Sequence, residues 1–207
     1  MEIALILIAS YLVGSIPTAF LLVRRKAGLD IRHAGSGNVG AFNTFDVTKS
    51  KTVGVTVGLL DALKGFAVAG SLGWIFKVPF ELQAAGFLAA ILGHNYPIWL
   101  KFKGGRGLAS GAGGMFAIGL MYTVVWVVVW LAVYRLKKDI LVGNLAAILA
   151  TPLLLLVIPG SWIGNLMVSD CPVASFRAFA FVLSAILFLS HVDAVRDLRT
   201  KWRTNNE

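Results

Sequence analysis

Residues 108–136 read LASGAGGMFAIGLMYTVVWVVVWLAVYRL. How often this stretch crosses a bilayer decides the fold. A single crossing takes about 20 apolar residues, and this run is longer. It also changes character along its length. Gly111, Gly113 and Gly114 crowd its first part, and valine and tryptophan fill the rest. It is either one long span or a short glycine-rich element followed by a full one.

The flanks decide. Apolar runs at 3–23, 53–76, 83–100, 141–158 and 173–193 each read as a transmembrane helix. The first run has Glu2 before it and Arg24, Arg25 and Lys26 after it, the reverse of a signal peptide. It reads as a first membrane helix with its N-terminus outside. Segments 24–51 and 101–107 then lie inside. A single crossing by 108–136 would put YRLKKD (134–139) and the tail RDLRTKWR (196–203) outside. Two elements, near 108–119 and 120–136, put both inside. Sixteen of the nineteen lysines and arginines then share the inner side, as the positive-inside rule requires. The expected fold is an all-α integral membrane protein. It has seven transmembrane elements, the N-terminus outside and the C-terminus cytoplasmic, in one transmembrane helical domain over 1–207. The short fourth element must be covered by neighbouring helices, because lipid cannot satisfy irregular backbone.

Composition agrees. Of 207 residues, 57% are hydrophobic and 14% charged, against about a quarter charged in soluble domains. The net charge of +9 belongs to loops that meet anionic membrane lipid. Aromatic residues lie within the apolar runs and not among the basic ones, which argues against nucleic acid as a partner. Cys171 is the single cysteine, so an internal disulfide and a cysteine-rich metal site are excluded. Cys171 reads as a small loop residue, and GSWIGNLMVSDC (160–171) as an ordinary outer loop. Arg177, near the outer end of the last span, reads as snorkelling. The tryptophans of 120–136 read as lipid-facing or core.

The polar chemistry gathers on the inner side. The first inner loop holds HAGSGNVGAFN (33–43). Gly35, Gly37 and Gly40 permit positive φ and close backbone approach. Successive N–H groups in such a loop can nest an anion. Ser36, Asn38 and Asn43 add side-chain donors, and Arg32 can grip a phosphate by two hydrogen bonds. The loop lacks the closing Gly-Lys-Ser/Thr of a Walker A motif. A flexible polar connector is the plainer reading. The second loop, LGHNYPIWLKFKGGRGLASG (92–111), places Lys101, Lys103 and Arg106 around Gly104, Gly105 and Gly107. It opens toward a helix N-terminus, where free N–H groups attract anions. His94 and Asn95 precede it, and Pro97 turns Tyr96 away from helix. Lipid-headgroup contact and close helix packing are the plainer readings here. In the second span, Asp61 and Lys64 share a face at i, i+3, deep enough that they must face the bundle or water. They read as a structural ion pair or as part of a site. His191 closes the last span on the inner side.

Four segments carry a family resemblance: YLVGSIP (11–17), DIRHAGSGNVGAFN (30–43), DALKG (61–65) and LGHNYPIWLKFKGGRG (92–107). In order and spacing they resemble the bacterial membrane glycerol-3-phosphate acyltransferases that use acyl phosphate as donor. The resemblance spans most of the chain and includes the seven-element layout. It implies that the 1-hydroxyl of glycerol 3-phosphate attacks the acyl carbonyl of a fatty acyl phosphate. Lysophosphatidic acid and phosphate result, in phospholipid synthesis, without coenzyme A, acyl carrier protein, metal or other cofactor. It implies a bacterial inner membrane with the site facing the cytoplasm. By analogy Ser36, His191, Lys103 and Arg106 are catalytic. Arg32, Gly35, Gly37, Asn38, Gly40, Asn43, Asp61, Lys64, His94, Gly104 and Gly105 bind substrate.

The chain departs from the family pattern at several points. Val39 and Phe42 replace a proline and a threonine, Asp46 an arginine, Arg106 a lysine, and Ala194 an asparagine. Arg199 stands in the region of a usual acid. Arginine for lysine keeps the charge and changes the geometry. Aspartate for arginine inverts the charge beside an anion site, unless Lys49 or Lys51 compensates. These departures define the alternative, a catalytically impaired paralogue that binds a phosphorylated lipid or solute.

Overall fold

The computed structural model describes residues 2–196, and over them the chain is helical. The one β pairing among the described residues is an isolated bridge between Gly119 and Met167. Most of the basic tail, with Asp197 and Arg199, lies outside the described residues, and so does the C-terminus.

Two compact units form. Among the described residues, the first holds 2–120 and Met167–Cys171, and the second holds Met121–Leu166 and 172–196. The first unit contains α1 (Glu2–Gly14), α2 (Thr18–Ala27), α3 (Ala41–Thr48), α4 (Lys51–Gly70), α5 (Phe80–Asn95) and α6 (Leu108–Ile118). The second contains α7 (Met121–Lys137), α8 (Ile140–Val157), α9 (Gly160–Asn165) and α10 (Val173–Leu189). By length and apolarity, three helical stretches among the described residues suffice to cross a membrane: Glu2–Ala27, counted across a break at 15–17, Lys51–Ile75 and Ile140–Val157.

The stretch 108–136 does divide. Gly119, with its backbone extended, separates a short glycine-rich α6 from the valine- and tryptophan-rich α7. Small residues explain how α6 packs. A Cβ on Gly113 would strike the Ala62 backbone, one on Gly65 the Ser110 carbonyl, and one on Gly114 the Phe87 ring. Without side chains at these points, α4 and α6 approach backbone to backbone. Ser110, Gly111, Met115, Ala117 and Ile118 are buried with them. The same device joins α1 to α5, where Gly14 meets Ala90 and Gly93 meets Tyr11. At the far end of α6, the N–H groups of Val168 and Ser169 both donate to the Ile118 carbonyl at 3.0 Å. That contact draws 167–171 into the first unit.

Three segments differ from their sequence reading. The run 3–23 is not one continuous helix but breaks at 15–17, where Pro17 has no N–H to continue the ladder. The loop 24–51 contains the two-turn α3, started by Gly40 in extended conformation. The segment 160–171 is not all loop, because Pro159 opens the short α9.

In the second unit Asp139 caps α8, accepting from the N–H groups of Leu141 and Val142 at 2.8 and 3.0 Å. Arg177 does more than snorkel. It donates to the Leu155 and Ile158 carbonyls at 2.9 and 2.7 Å, satisfying the end of α8 that the helix itself leaves open. Trp126, Trp130 and Tyr134 stack along α7 at i, i+4 spacing, with ring centroids 6.3 and 5.0 Å apart.

Candidate functional site

The glycine loop at 33–43 is wound around one side chain. The Asn43 amide donates to the carbonyls of Ala34 and Asn38 at 3.0 and 2.9 Å, and its oxygen accepts from the Ser36 N–H at 2.9 Å. Asn43 is itself buried in the first turn of α3. The chain can circle it because Gly35 and Gly37 take φ of 58° and 71°. A Cβ on Gly35 would collide with the Asn43 side-chain oxygen. Asn43 thus staples the loop, leaving the Ser36 side chain exposed and Asn38 half-buried.

Upstream, Asp30 opens a 3-10 turn and accepts from the Arg32 N–H at 3.0 Å. The Arg32 guanidinium closes on the same carboxylate at 2.6 Å and reaches the Leu100 carbonyl at 3.3 Å. Its face lies over Phe20, 5.4 Å from the ring centroid. The hydrogen bond from Arg32 holds the Asp30 carboxyl at about 2, below its ordinary 3.8. A lowered folded-state value means the pairing is complete above the ordinary value. It is lost as the pH falls through about 2. A carbonyl-carbon titration of Asp30 is expected to show its midpoint near 2, and Arg32→Ala to return it toward 3.8. A wild-type midpoint at the ordinary value would contradict the clip.

The second loop folds back on the end of α5. Tyr96 leaves helical geometry ahead of Pro97, and Lys101 and Phe102 turn the chain with positive φ. Gly104 and Gly105 donate to the Asn95 and His94 carbonyls, each at 3.1 Å. A Cβ on Gly104 would strike both of those carbonyls or Pro97. A Cβ on Gly105 would strike the His94 ring at Nε2. These glycines serve close approach. Gly107, with φ of 78°, then starts α6. Lys101 and Lys103 are exposed and Arg106 is half-buried.

The two loops are joined. The Val39 N–H donates to the Gly104 carbonyl at 3.3 Å, and Arg32 bridges to Leu100. Below them lies a small cleft of about 10 Å³, walled by the 14–18 turn, Asp61, Lys64, His94, Val39 and Gly104. Asp61 is almost fully buried, and three groups meet its Oδ1. The Thr18 hydroxyl donates at 2.5 Å, Lys64 Nζ lies at 2.8 Å, and His94 Nδ1 lies at 3.6 Å. Lys64 also donates to the Ile16 carbonyl at 2.7 Å. The break between α1 and α2 therefore has a partner: carbonyls freed by the turn accept from the buried ammonium.

Of the residues expected to form a site, the first unit gathers Arg32, the 35–43 loop, Asp61, Lys64, His94, Gly104 and Gly105. Lys103 and Arg106 stand on the second loop. His191 belongs to the second unit, where it is fully buried and its Nδ1 bonds the Leu187 carbonyl at 2.7 Å. Ala194, also buried, stands where the family pattern has an asparagine. Asp46 is paired with Lys49 at 2.7 Å, so the inverted charge is met locally. Sequence reasoning missed Ser15 and Thr18 as site residues. The available signal was Gly-Ser-Ile-Pro at 14–17, a turn composition inside an apolar run.

Comparisons with known proteins point to one family. The sequence model of the family described as glycerol-3-phosphate acyltransferase matches residues 4–201. The glycerol-3-phosphate acyltransferase of Pelagibacter ubique (strain HTCC1062) is 34% identical over 208 aligned residues, covering 100% of this chain and 99% of the relative. Glycerol-3-phosphate acyltransferase 2 of Moorella thermoacetica (strain ATCC 39073 / JCM 9320) is 40% identical, over 76% of this chain and 80% of its own. Among solved structures, the integral membrane glycerol 3-phosphate acyltransferase PlsY (YgiH) in its glycerol 3-phosphate form superposes with a TM-score of 0.79. It has 30% sequence identity, over 97% of this chain and 94% of that one. Its lysophosphatidic acid form gives 0.78 at 29% identity.

Proposed function

The chain belongs to the glycerol-3-phosphate acyltransferase family, and from that premise we propose that it makes lysophosphatidic acid. It transfers a fatty acyl group from acyl phosphate to the 1-hydroxyl of glycerol 3-phosphate, as a step of phospholipid synthesis. The hydroxyl oxygen bonds to the acyl carbon, the acyl–phosphate C–O bond breaks, and inorganic phosphate leaves with the hydroxyl proton. No cofactor or metal takes part. The reaction runs at the cytoplasmic face of a bacterial inner membrane. The whole chain acts as one domain with seven membrane elements, N-terminus out and C-terminus in.

The observation that carries this reading is the joining of the two loops. Both substrates bear phosphate. A stapled glycine loop and a cationic glycine loop, tied by the Val39–Gly104 and Arg32–Leu100 bonds, form one surface suited to two anions. Holding both anions together supplies proximity. Ser36 and its neighbouring N–H groups take the donor phosphate, with Lys103 and Arg106 from the second loop. Preorganised donors of this kind stabilise the tetrahedral oxyanion.

Purified protein supplied with palmitoyl phosphate and glycerol 3-phosphate is expected to form lysophosphatidate, and with palmitoyl coenzyme A to form none. Product from the thioester alone would refute the proposed donor. Product from neither would favour the binding paralogue.

A further inference from the structure

The turn between α5 and α6 holds backbone strain around an aromatic side chain that the fold does not bury. Lys101 and Phe102 stand in succession at φ of 54° and 63°. That left-handed region is costly for a residue with a Cβ and an outlier for a bulky one. Among the described residues, Phe102 is the one aromatic residue in it. The strain gives Phe102 no interior packing. It is 58% exposed, and Ile98 and Trp99 are 50% and 61% exposed. Leu100, between them, turns inward and joins Ala19, Val23, Ile31 and Val39 in a buried cluster. The N–H groups of Leu100 and Phe102 both donate to the Pro97 carbonyl, at 3.1 and 3.0 Å, which fixes the shape. A strained turn held with its apolar side chains outward points to a partner outside the chain.

Charge identifies that partner. Lys101 lies between Trp99 and Phe102, exposed and with no ion pair among the described residues. Between Glu81 and Asp139 the chain has no acidic residue. Of the acids on the elements packed nearby, Asp30 is closed on Arg32 and Asp61 is buried against Lys64. Exposed aromatic rings beside a free ammonium fit a surface that is both apolar and negatively charged. The boundary between headgroups and acyl chains in an anionic leaflet is such a surface. Tryptophan and tyrosine favour that depth, and a lysine near anionic lipid adds to the attraction. Leu92 and Tyr96, four residues apart at the end of α5, are partly exposed as well. An apolar face therefore runs from α5 onto the turn, and that continuity favours lipid over a soluble protein.

We infer that residues 96–103 form an interfacial anchor for anionic phospholipid: Tyr96, Ile98, Trp99 and Phe102 enter the boundary of the leaflet, and Lys101 holds an anionic headgroup. Lys103 and Gly104 follow directly, so the anchor fixes the level at which the second loop stands at the membrane. The inference stands apart from the acyl transfer proposed above.

The test reads Trp99 fluorescence in the full chain reconstituted in vesicles. Trp99 is one of six tryptophans, so its signal is the wild type minus Trp99→Phe. Vesicles hold equal amounts of phosphatidylglycerol and phosphatidylcholine, with bromine high in the acyl chains of one lipid or the other. Brominated phosphatidylglycerol is expected to quench the signal more strongly, as for about fivefold tighter association, the worth of one lysine at an anionic surface. Lys101→Gln should bring the two lipids to within about twofold of each other. Phe102→Gly should weaken quenching by both lipids while its Tm holds or rises, since glycine takes φ of 63° freely. A Phe102→Gly protein with lower Tm and unchanged quenching would make the ring merely structural and overturn the inference. Equal quenching by the two lipids in the wild type, or an unchanged preference in Lys101→Gln, also overturns it. So does a Trp99 signal quenched by aqueous acrylamide and by neither lipid, which would give the turn to a soluble partner.

Discussion

Asp61→Ala is expected to lower the unfolding free energy by about 3–5 kcal/mol, the largest single-residue effect in the molecule. Asp61 and Lys64 have side chains only 2% and 9% exposed, and their 2.8 Å contact is the charge balance of the first unit's interior. Removing the carboxylate leaves an ammonium among helices, facing the carbonyls of Gly14 and Ile16. A buried charge without a counter-charge costs far more than a broken surface pair. Asp61→Asn separates charge from shape. It retains an acceptor for the Thr18 hydroxyl but leaves Lys64 uncompensated, so it should be nearly as damaging as alanine. Unfolding in detergent with a chemical denaturant measures both. A loss under about 1 kcal/mol in each variant would show that the pair is not what holds the 14–18 turn against α4.

The second large effect is on catalysis. Gly104→Ala is expected to reduce kcat/KM by about a hundredfold or more while the helices remain folded, because a misplacement of about 1 Å at a reacting site costs that much. The added Cβ would meet the His94 and Asn95 carbonyls, which are backbone and cannot swing aside. The second loop must then lift from the end of α5. With it goes the Val39–Gly104 bond that joins it to the first loop. Gly28→Ala is the matched control. Gly28 follows α2 with φ of 68°, and nothing lies within 4 Å of its Cβ position. It should cost about 1 kcal/mol of backbone strain and leave activity unchanged. Wild-type activity in Gly104→Ala would mean that the two loops do not act as one surface.

Much of this arrangement is legible in the sequence. The depth of Asp61 and Lys64 in an apolar run requires a shared inward face, and they are found paired and buried. The glycines of 108–114 predict a short element packed closely by neighbours, and α6 is such an element. Charge placement separated α6 from α7 correctly, since a valine- and tryptophan-rich run and a glycine-rich run are different solutions to burial.

What escaped the sequence depends on partners distant along the chain. The break at 15–17 looks unfavourable on hydropathy alone, because it frees carbonyls inside an apolar run. It becomes favourable only when Lys64, 48 positions beyond Ile16, supplies the donor. Asn43 reads as a ligand-facing donor until the loop's path is known; that path turns its amide inward onto Ala34 and Asn38. Arg32 likewise reads as a free guanidinium, and local geometry folds it onto Asp30. Arg177 reads as snorkelling because nothing in its own segment reveals the open carbonyls of α8.

The measurement that tests the central claim most directly is phosphate release from palmitoyl phosphate, with and without glycerol 3-phosphate, in the wild type and in Ser36→Ala. Release that requires glycerol 3-phosphate, equals the lysophosphatidate formed and falls steeply in Ser36→Ala is the expected result. Folded wild-type protein that releases no phosphate, or releases it equally without the acceptor, would contradict it.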